Sequence, residues 1–101
     1  MNTPASPLLS PDRIASEHAT LPQWALSSDE KSISRSFSFK NYYHTMAFAN
    51  AVAWIAHQQD HHPDMTVSYN KCTVTYSTHS AGGITAKDFT AIKAVENLIT
   101  G

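Results

Sequence analysis

Three histidines lie within one stretch of the chain, residues 60–83, and could carry acid-base chemistry. His61 and His62 are adjacent, and His79 follows them after two short segments of alternating polarity. These segments predict a β-hairpin, which would bring His79 back toward the first two histidines. Histidine is the side chain whose unperturbed pKa lies between pH 5 and 8. A cluster of imidazoles therefore suits proton transfer near neutral pH.

The first two histidines follow the predicted end of a long helix. Asn41 is a good N-cap, and residues 42–59 have the composition of a helix. The unpaired carbonyl groups at the end of such a helix favour positive charge near His61 and His62. Pro63 fixes the chain direction and biases His62 toward an extended backbone. Adjacent residues leaving a helix point in different directions, so each imidazole could address a different atom of one ligand.

The hairpin itself is predicted from two alternating segments. Residues 65–69 and 72–76 alternate apolar and polar side chains, as half-buried strands do. Asn70-Lys71 is predicted as the tight turn between them, because Asn tolerates positive φ. A flexible loop is expected over residues 80–84, which include two adjacent glycines.

The remaining elements complete a two-layer fold. They are a helix over 11–18 with Ser10 as N-cap, strands over 21–26 and 31–39, and a last helix over 85–99 that Thr85 and Asp88 begin as a capping box. Adjacent strands joined by short turns pair antiparallel, and strands with one polar face need helices only on the other. We therefore predict an α+β fold, in which three helices cover one face of a four-stranded antiparallel sheet. Residues 1–9 are expected to be a flexible lead-in and residues 10–101 a single domain.

The long helix carries more apolar surface than one sheet needs. One apolar stripe consists of Tyr42, Met46, Ala49, Val52 and Ala56. A second stripe, which we call the outer stripe, consists of Tyr43, Ala47, Ala51 and Trp54. A helix in a small domain needs one stripe for its own core. The outer stripe predicts a homo-oligomer, either a dimer or a tetramer, with the alternative that Trp54 covers the last helix of its own chain.

Composition and charge exclude several classes of partner. Seven Lys and Arg against eight Asp and Glu give a net charge of -1, which argues against nucleic-acid binding by phosphate neutralisation. No segment has the length of a membrane span, and the N-terminus lacks a leader pattern, so no membrane partner is expected. The single cysteine, Cys72, rules out an intrachain disulfide and fits a reducing compartment. We expect a soluble, cytoplasmic protein.

Two other interpretations of the histidines stay open from spacing alone. His61 and His62 could be a solvated helix end, and His79 an ordinary loop residue. His57, His61, His62 and His79 could also supply nitrogen ligands to a metal ion. Their spacing is not that of a closed zinc site, and the chain has no HExxH motif. We therefore expect no metal.

Several motifs together resemble the pterin-4a-carbinolamine dehydratase family. They are DHHPD at 60–64, YNK at 69–71, STH at 77–79, and Gly82-Gly83 followed by T-x-x-D. Phe37, Phe39, Asn41 and Tyr42 match the family's pattern before its long helix, and Trp24 falls where the family usually has a tryptophan. The resemblance covers residues 14–99 and implies the same fold of three helices on a four-stranded antiparallel sheet.

The resemblance also implies a reaction and a site. The reaction is dehydration of a 4a-hydroxytetrahydropterin to the quinonoid dihydropterin, without metal or organic cofactor, which recycles the cofactor of aromatic amino-acid hydroxylases. A hydroxylase would thus be an indirect partner. The implied catalytic residues are His61, His62 and His79. The implied substrate-binding residues are His57, Asp60, Pro63, Thr78 and Ser80.

One departure from the family pattern leaves an alternative function open. Many members carry glutamate where this chain has His57, and a carboxylate there could hold an imidazolium or bind the pterin ring. Activity could be reduced, or Asp60 could substitute. Some relatives act without catalysis, as dimerisation partners of transcription factors or as assembly factors. The alternative is therefore a protein-binding module on the same fold.

Overall fold

The computed structural model describes residues 7–100, which form a four-stranded sheet and three helices. The elements are, in chain order, α1 (Pro11–His18), β1 (Ala25–Leu26), β2 (Ile33–Ser38), α2 (Tyr42–Gln59), β3 (Asp64–Val67), β4 (Lys71–Tyr76) and α3 (Ala86–Thr100). The strand order is β1-β2-β4-β3, and every neighbouring pair is antiparallel. The predicted fold is confirmed.

The helix N-termini form where the sequence predicts them. The Ser10 hydroxyl accepts a hydrogen bond from the Arg13 N–H at 3.2 Å, and Pro11 occupies the first position of α1. Asn41 begins α2 in the same way, since its Oδ1 accepts from the His44 N–H at 2.9 Å. Each cap satisfies a backbone donor that the helix itself leaves without a partner.

The core lies between one face of the sheet and the helices. Ile33 and Phe37 of β2 and the alternating residues of β4 are buried, and Ile14 of α1 joins the same apolar cluster. The residues of the opposite parity are three serines in β2 and Lys71, Thr73 and Thr75 in β4, and all of them are half-buried or exposed. Burial of each large apolar side chain contributes about 1.5–3 kcal/mol. The parity of the strands therefore decides which face of the sheet the helices cover.

Arg35 interrupts the buried parity of β2 and is accommodated by an ion pair. Its guanidinium bonds to the Glu96 carboxylate of α3 and lies over the Phe37 ring, 4.5 Å from the ring centroid. The same Glu96 oxygen accepts a hydrogen bond from the Trp24 indole at 2.6 Å. The ion pair of Arg35 thus connects β2 to α3, whereas an apolar residue at this position would make packing contacts alone.

Three local predictions differ from the structure. The hairpin turn is Tyr69-Asn70 and not Asn70-Lys71, since Val67 pairs with Cys72 and the Ser68 N–H bonds to the Lys71 carbonyl. Asn70 does not have positive φ. The first strand is only two residues long, because Trp24 packs into the core from a turn before it. Tyr42, which was predicted to belong to the apolar stripe that packs on the sheet, lies at the first turn of α2 and is 46% exposed.

The end of the predicted lead-in attaches to the loop before α3. Leu8 forms an isolated antiparallel bridge with Thr85, and the Leu9 N–H donates to the Ile84 carbonyl at 3.0 Å. Leu9 also packs against the core. Residues 1–6 of the predicted lead-in lie outside the described range.

The outer stripe of α2 lies in solvent in the single chain. Tyr43 is 79% exposed and Trp54 is 60% exposed, while Ala47 is exposed and Ala51 half-buried. Over residues 7–100, no helix combines the length and the apolar character needed to cross a bilayer.

We predict that the outer stripe forms the contact between subunits. Wild-type protein at micromolar concentration should scatter light as a multiple of its 11.1 kDa chain mass, and Trp54→Glu should lower that mass because it places a charge in the contact. Ala53→Glu, on an exposed position of the same helix outside the stripe, is the control. A monomeric wild type would refute the prediction, and an oligomer insensitive to Trp54→Glu would move the contact to an edge strand.

Candidate active site

The end of α2 delivers His61 through a defined backbone turn. Asp60 has left-handed backbone angles, with φ 51°, and its N–H donates to the His57 carbonyl. The next N–H, that of His61, donates to the Ala56 carbonyl at 3.1 Å. These two bonds form a Schellman motif, in which Asp60 takes the position that glycine usually occupies. The motif turns the chain sharply and points His61 back toward the start of α3.

His61 is held there by a buried carboxylate. Its Nε2 lies 2.6 Å from Oδ1 of Asp88, and Asp88 is fully buried. The other oxygen, Oδ2, accepts hydrogen bonds from the Thr78 hydroxyl at 2.8 Å and the Thr85 N–H at 2.9 Å. An ionised carboxylate can only accept, so Nε2 of His61 carries a hydrogen. In the neutral ring, the other nitrogen, Nδ1, therefore carries the lone pair.

The sequence predicted the capping role of Asp88 in α3 but not its bonds to His61 and Thr78. The bond from the Thr85 N–H to Asp88 is the predicted cap. Sequence reasoning gave Asp88 no role in the site, although a signal existed: Asp88 shares a helical face with the buried Ala91, Ile92 and Val95. A carboxylate on a buried face requires polar partners from elsewhere in the chain.

Tyr76 stacks against one face of the His61 ring. The two rings are stacked, with centroids 5.7 Å apart and planes inclined by 23°. Tyr76 is fully buried, and its hydroxyl has no hydrogen-bond partner within residues 7–100. Burial, and secondarily the negative charge of Asp88, raise the pKa of Tyr76 to about 12. The phenol therefore stays neutral beside the imidazole.

His79 lies on a tight loop that closes on itself. Thr78 and Gly83 form an antiparallel bridge, and the Gly82 N–H donates to the Thr78 carbonyl at 3.0 Å. Gly82 has φ +77°, which few other residues adopt without strain. The Thr78 hydroxyl also bonds to Asp88. Asp88 therefore holds both the His61 ring and the loop that carries His79.

One cavity of about 300 Å³ brings most of the predicted site residues together. We call it the histidine cavity, and its lining residues are Asp60, His61, His62, Ser77, Thr78, His79, Ser80 and Lys87. His62 and His79 are exposed, whereas His61 is half-buried. Three histidines therefore line one space, and within residues 7–100 only His61 of the three bonds to a carboxylate.

Two predicted substrate-binding residues do not line this cavity. His57 is exposed on α2 and packs against Trp54, with ring centroids 5.4 Å apart. Pro63, between His62 and the first residue of β3, is buried. Lys87 does line the cavity, and sequence reasoning missed it because an isolated lysine in a helix gives no signal.

No metal-binding cluster occurs in the part of the chain that the structure describes: no three His, Cys, Asp or Glu side chains lie where they could hold one ion.

Comparison with known proteins identifies the family of the chain. A sequence profile described as Pterin 4 alpha carbinolamine dehydratase matches residues 7–98. The chain belongs to this family.

Individual relatives agree with the assignment. A protein of Nitrosomonas eutropha, provisionally named a pterin-4-alpha-carbinolamine dehydratase, is 57% identical over 76 residues, which are 75% of this chain and 66% of that protein. A protein of Nitrosospira multiformis with the same provisional name is 59% identical over 68 residues, which are 67% of this chain and 60% of that one. The chain thus spans about two thirds or less of the length of these curated relatives.

Solved structures share the fold. The crystal structure of a transcriptional coactivator/pterin dehydratase from Brucella melitensis matches with a TM-score of 0.84 and 31% identity, over 92% of this chain and 98% of that one. A pterin dehydratase-like protein identified as a RuBisCO assembly factor in the alpha-carboxysome matches with a TM-score of 0.64 and 19% identity, over 75% of this chain and 88% of that one. The second likeness shows the fold alone.

The environment of Tyr76 in this dehydratase-family chain predicts a specific pH dependence of stability. The pKa of Tyr76 is about 12 in the folded protein, against an ordinary value of 10.0. The free energy of unfolding is therefore independent of this group below pH 10 and decreases as the pH rises from 10 through 12, because the unfolded chain loses the phenol proton first. Tyr76→Phe should therefore unfold less readily than wild type between pH 10 and 12, measured by urea titration. At pH 7 it should be equally stable or about 1 kcal/mol more stable, because a buried hydroxyl without a partner is removed.

The matched control for this prediction is Tyr69→Phe, because Tyr69 is 66% exposed. It should follow the wild type at both pH values. A clear loss of stability of Tyr76→Phe at pH 7 would contradict the prediction, since it would mean that the hydroxyl makes a favourable bond.

Proposed function

We propose that the protein catalyses dehydration of a 4a-hydroxytetrahydropterin to the quinonoid dihydropterin by histidine acid-base catalysis. The observation that carries the proposal is the histidine cavity, where His61, His62 and His79 line one space and Asp88 fixes one of the three rings. Family membership supports the same reaction class.

The reaction needs two proton transfers and no change of oxidation state. The C4a–O bond breaks, and the hydroxyl leaves as water after receiving a proton. A ring nitrogen loses a proton, and the electron pair released there forms the new double bond to C4a. Two imidazoles on opposite sides of the reacting centre can perform both transfers, and each typically contributes about 10²–10⁴-fold.

The geometry suggests which imidazole is the base. A base becomes positively charged when it accepts the proton, and the Asp88 carboxylate would stabilise that charge on His61. The proton would arrive at Nδ1, because Nε2 bonds to Asp88. His62 or His79, which are exposed, would donate the proton to the leaving hydroxyl. Exchange with solvent would then remove the proton from His61 and restore the one on the donor. The reaction then requires neither a metal nor an organic cofactor.

The substrate contacts of this proposal differ from the simple family pattern. Asp60 and Ser80 line the cavity and are available to bind the pterin, whereas the Thr78 hydroxyl bonds to Asp88 and Thr85. His57 lies outside the cavity lining, so Asp60 is the carboxylate that could replace the family's glutamate. The cellular role would be recycling of the pterin cofactor of an aromatic amino-acid hydroxylase in the cytoplasm.

A second candidate function is a protein-binding module on the same fold. Two observations favour it: the exposed outer stripe of α2, and the name of the structural neighbour from Brucella melitensis, a transcriptional coactivator/pterin dehydratase. A stoichiometric protein partner together with no dehydratase turnover would favour the module over the enzyme.

The dehydratase proposal predicts measurable turnover that depends on the histidines. Purified protein added to a 4a-hydroxytetrahydropterin, generated by a hydroxylase, should accelerate dehydration followed by absorbance. His62→Ala and His79→Ala should each lower the rate at least tenfold if the ring transfers a proton. His44→Ala, an exposed histidine in the first turn of α2, should leave the rate unchanged. Folded wild-type protein without acceleration over buffer would refute the proposal.

A further inference from the structure

The N-terminal strap, which we define as residues 7–9, lies against the loop that precedes α3. The Leu9 N–H donates to the Ile84 carbonyl at 3.0 Å, and Leu8 forms an antiparallel bridge with Thr85. Ile84 and Thr85 are both buried. A buried backbone carbonyl needs a donor, and within residues 7–100 the Leu9 N–H is the only backbone donor to the Ile84 carbonyl.

Gly83 allows the strap to come this close to the loop. A Cβ atom at Gly83 would lie 3.0 Å from Cδ2 of Leu8, which is shorter than the usual contact between two carbon atoms. The backbone angles do not explain the glycine, because Gly82 and not Gly83 has the positive φ in this loop. The second glycine of the pair therefore serves the contact with the strap.

The strap is itself attached to the folded domain. Ser10 follows Leu9 directly and begins α1, where its hydroxyl accepts from the Arg13 N–H at 3.2 Å. The Leu9 side chain is half-buried and packs against the core. The Leu9 N–H therefore donates from a fixed position.

The loop that carries His79 has two separate supports. The first is Asp88, whose Oδ2 accepts from the Thr78 hydroxyl at 2.8 Å and from the Thr85 N–H at 2.9 Å. The second is the strap. The Thr78 N–H donates to the Gly83 carbonyl at 2.8 Å, so the two ends of the loop hold each other. His79 follows Thr78 directly, and its ring is exposed, so the loop backbone determines where the ring lies.

We propose that Leu9 is a positioning residue for His79, acting through the bond from its N–H to the Ile84 carbonyl. Leu9 does not line the histidine cavity. It fixes the loop backbone, so that the ring of His79 keeps the distance and direction that proton transfer requires. The inference rests on the proposed function for the role of His79. The coupling between strap and loop, however, is a property of the folded chain and can be measured without substrate.

Amide hydrogen exchange of the full wild-type chain measures this coupling. If strap and loop open as one unit, the amides of Leu9 and Thr78 should have protection factors within about threefold of each other. A difference of more than about tenfold in either direction would overturn the inference, because one segment would then open while the other stays closed. This measurement needs neither a variant nor turnover.

A pair of variants isolates the N–H donor. Leu9→Pro removes the side chain and the donor, whereas Leu9→Ala, the matched control, removes the side chain alone. Proline at this position is compatible with the extended backbone of Leu8 in its bridge. Relative to Leu9→Ala, the Thr78 amide of Leu9→Pro should exchange about three- to tenfold faster, as expected for the loss of one hydrogen bond. Equal exchange in the two variants would overturn the inference.

Dehydratase kinetics of the same pair test the role of His79. Leu9→Pro should have a kcat about three- to tenfold below that of Leu9→Ala with little change in KM, because proton transfer occurs in the transition state. In a His79→Ala background the two variants should have the same kcat, since the ring that Leu9 positions is absent. An equal loss in both backgrounds would overturn the inference, because Leu9 would then act on the whole fold.

The two kinds of measurement separate failure of this inference from failure of the proposed function. If wild-type protein shows no dehydratase turnover while the Leu9 and Thr78 amides exchange together, the proposed function is refuted and the coupling of strap and loop is supported. If wild-type protein turns over while these amides exchange independently, the proposed function is supported and the positioning role of Leu9 is refuted.

Discussion

The site depends on one buried carboxylate, that of Asp88. Burial of a charge is unfavourable unless hydrogen bonds replace the lost water. Asp88 receives three such bonds, from His61, Thr78 and Thr85. Each hydrogen bond to a charged group contributes about 1.5–3 kcal/mol, so displacement of any one partner is costly.

The three partners of Asp88 belong to three different parts of the chain. His61 follows α2, Thr78 follows β4, and Thr85 precedes α3. Their common attachment fixes the position of the His61 ring and also of the loop that carries His79. Leu8 and Leu9 add a further attachment to this loop through Thr85 and Ile84. His62 and His79, by contrast, are exposed to solvent.

Much of this arrangement could be predicted from the sequence, because local patterns determine it. The caps at Ser10 and Asn41 and the alternating parity of β2 and β4 gave the helices, the sheet and its buried face. The turn was misplaced by one residue, because Asn70 is a common turn residue at either position. The roles of Asp88, Arg35 and Lys87 depend on residues distant in the chain, and no local pattern encodes them. The histidine cavity likewise forms only where the segments that follow α2 and β4 meet the start of α3.

The hydrogen on the His61 ring tests the account most directly. A long-range nitrogen–hydrogen correlation spectrum of labelled protein distinguishes the two ring nitrogens, and a His61→Gln variant assigns the signals. If Asp88 holds the ring as described, the neutral imidazole carries its hydrogen on Nε2 and a lone pair on Nδ1. A neutral ring with its hydrogen on Nδ1 would contradict the account, because Nε2 could then not donate to the carboxylate.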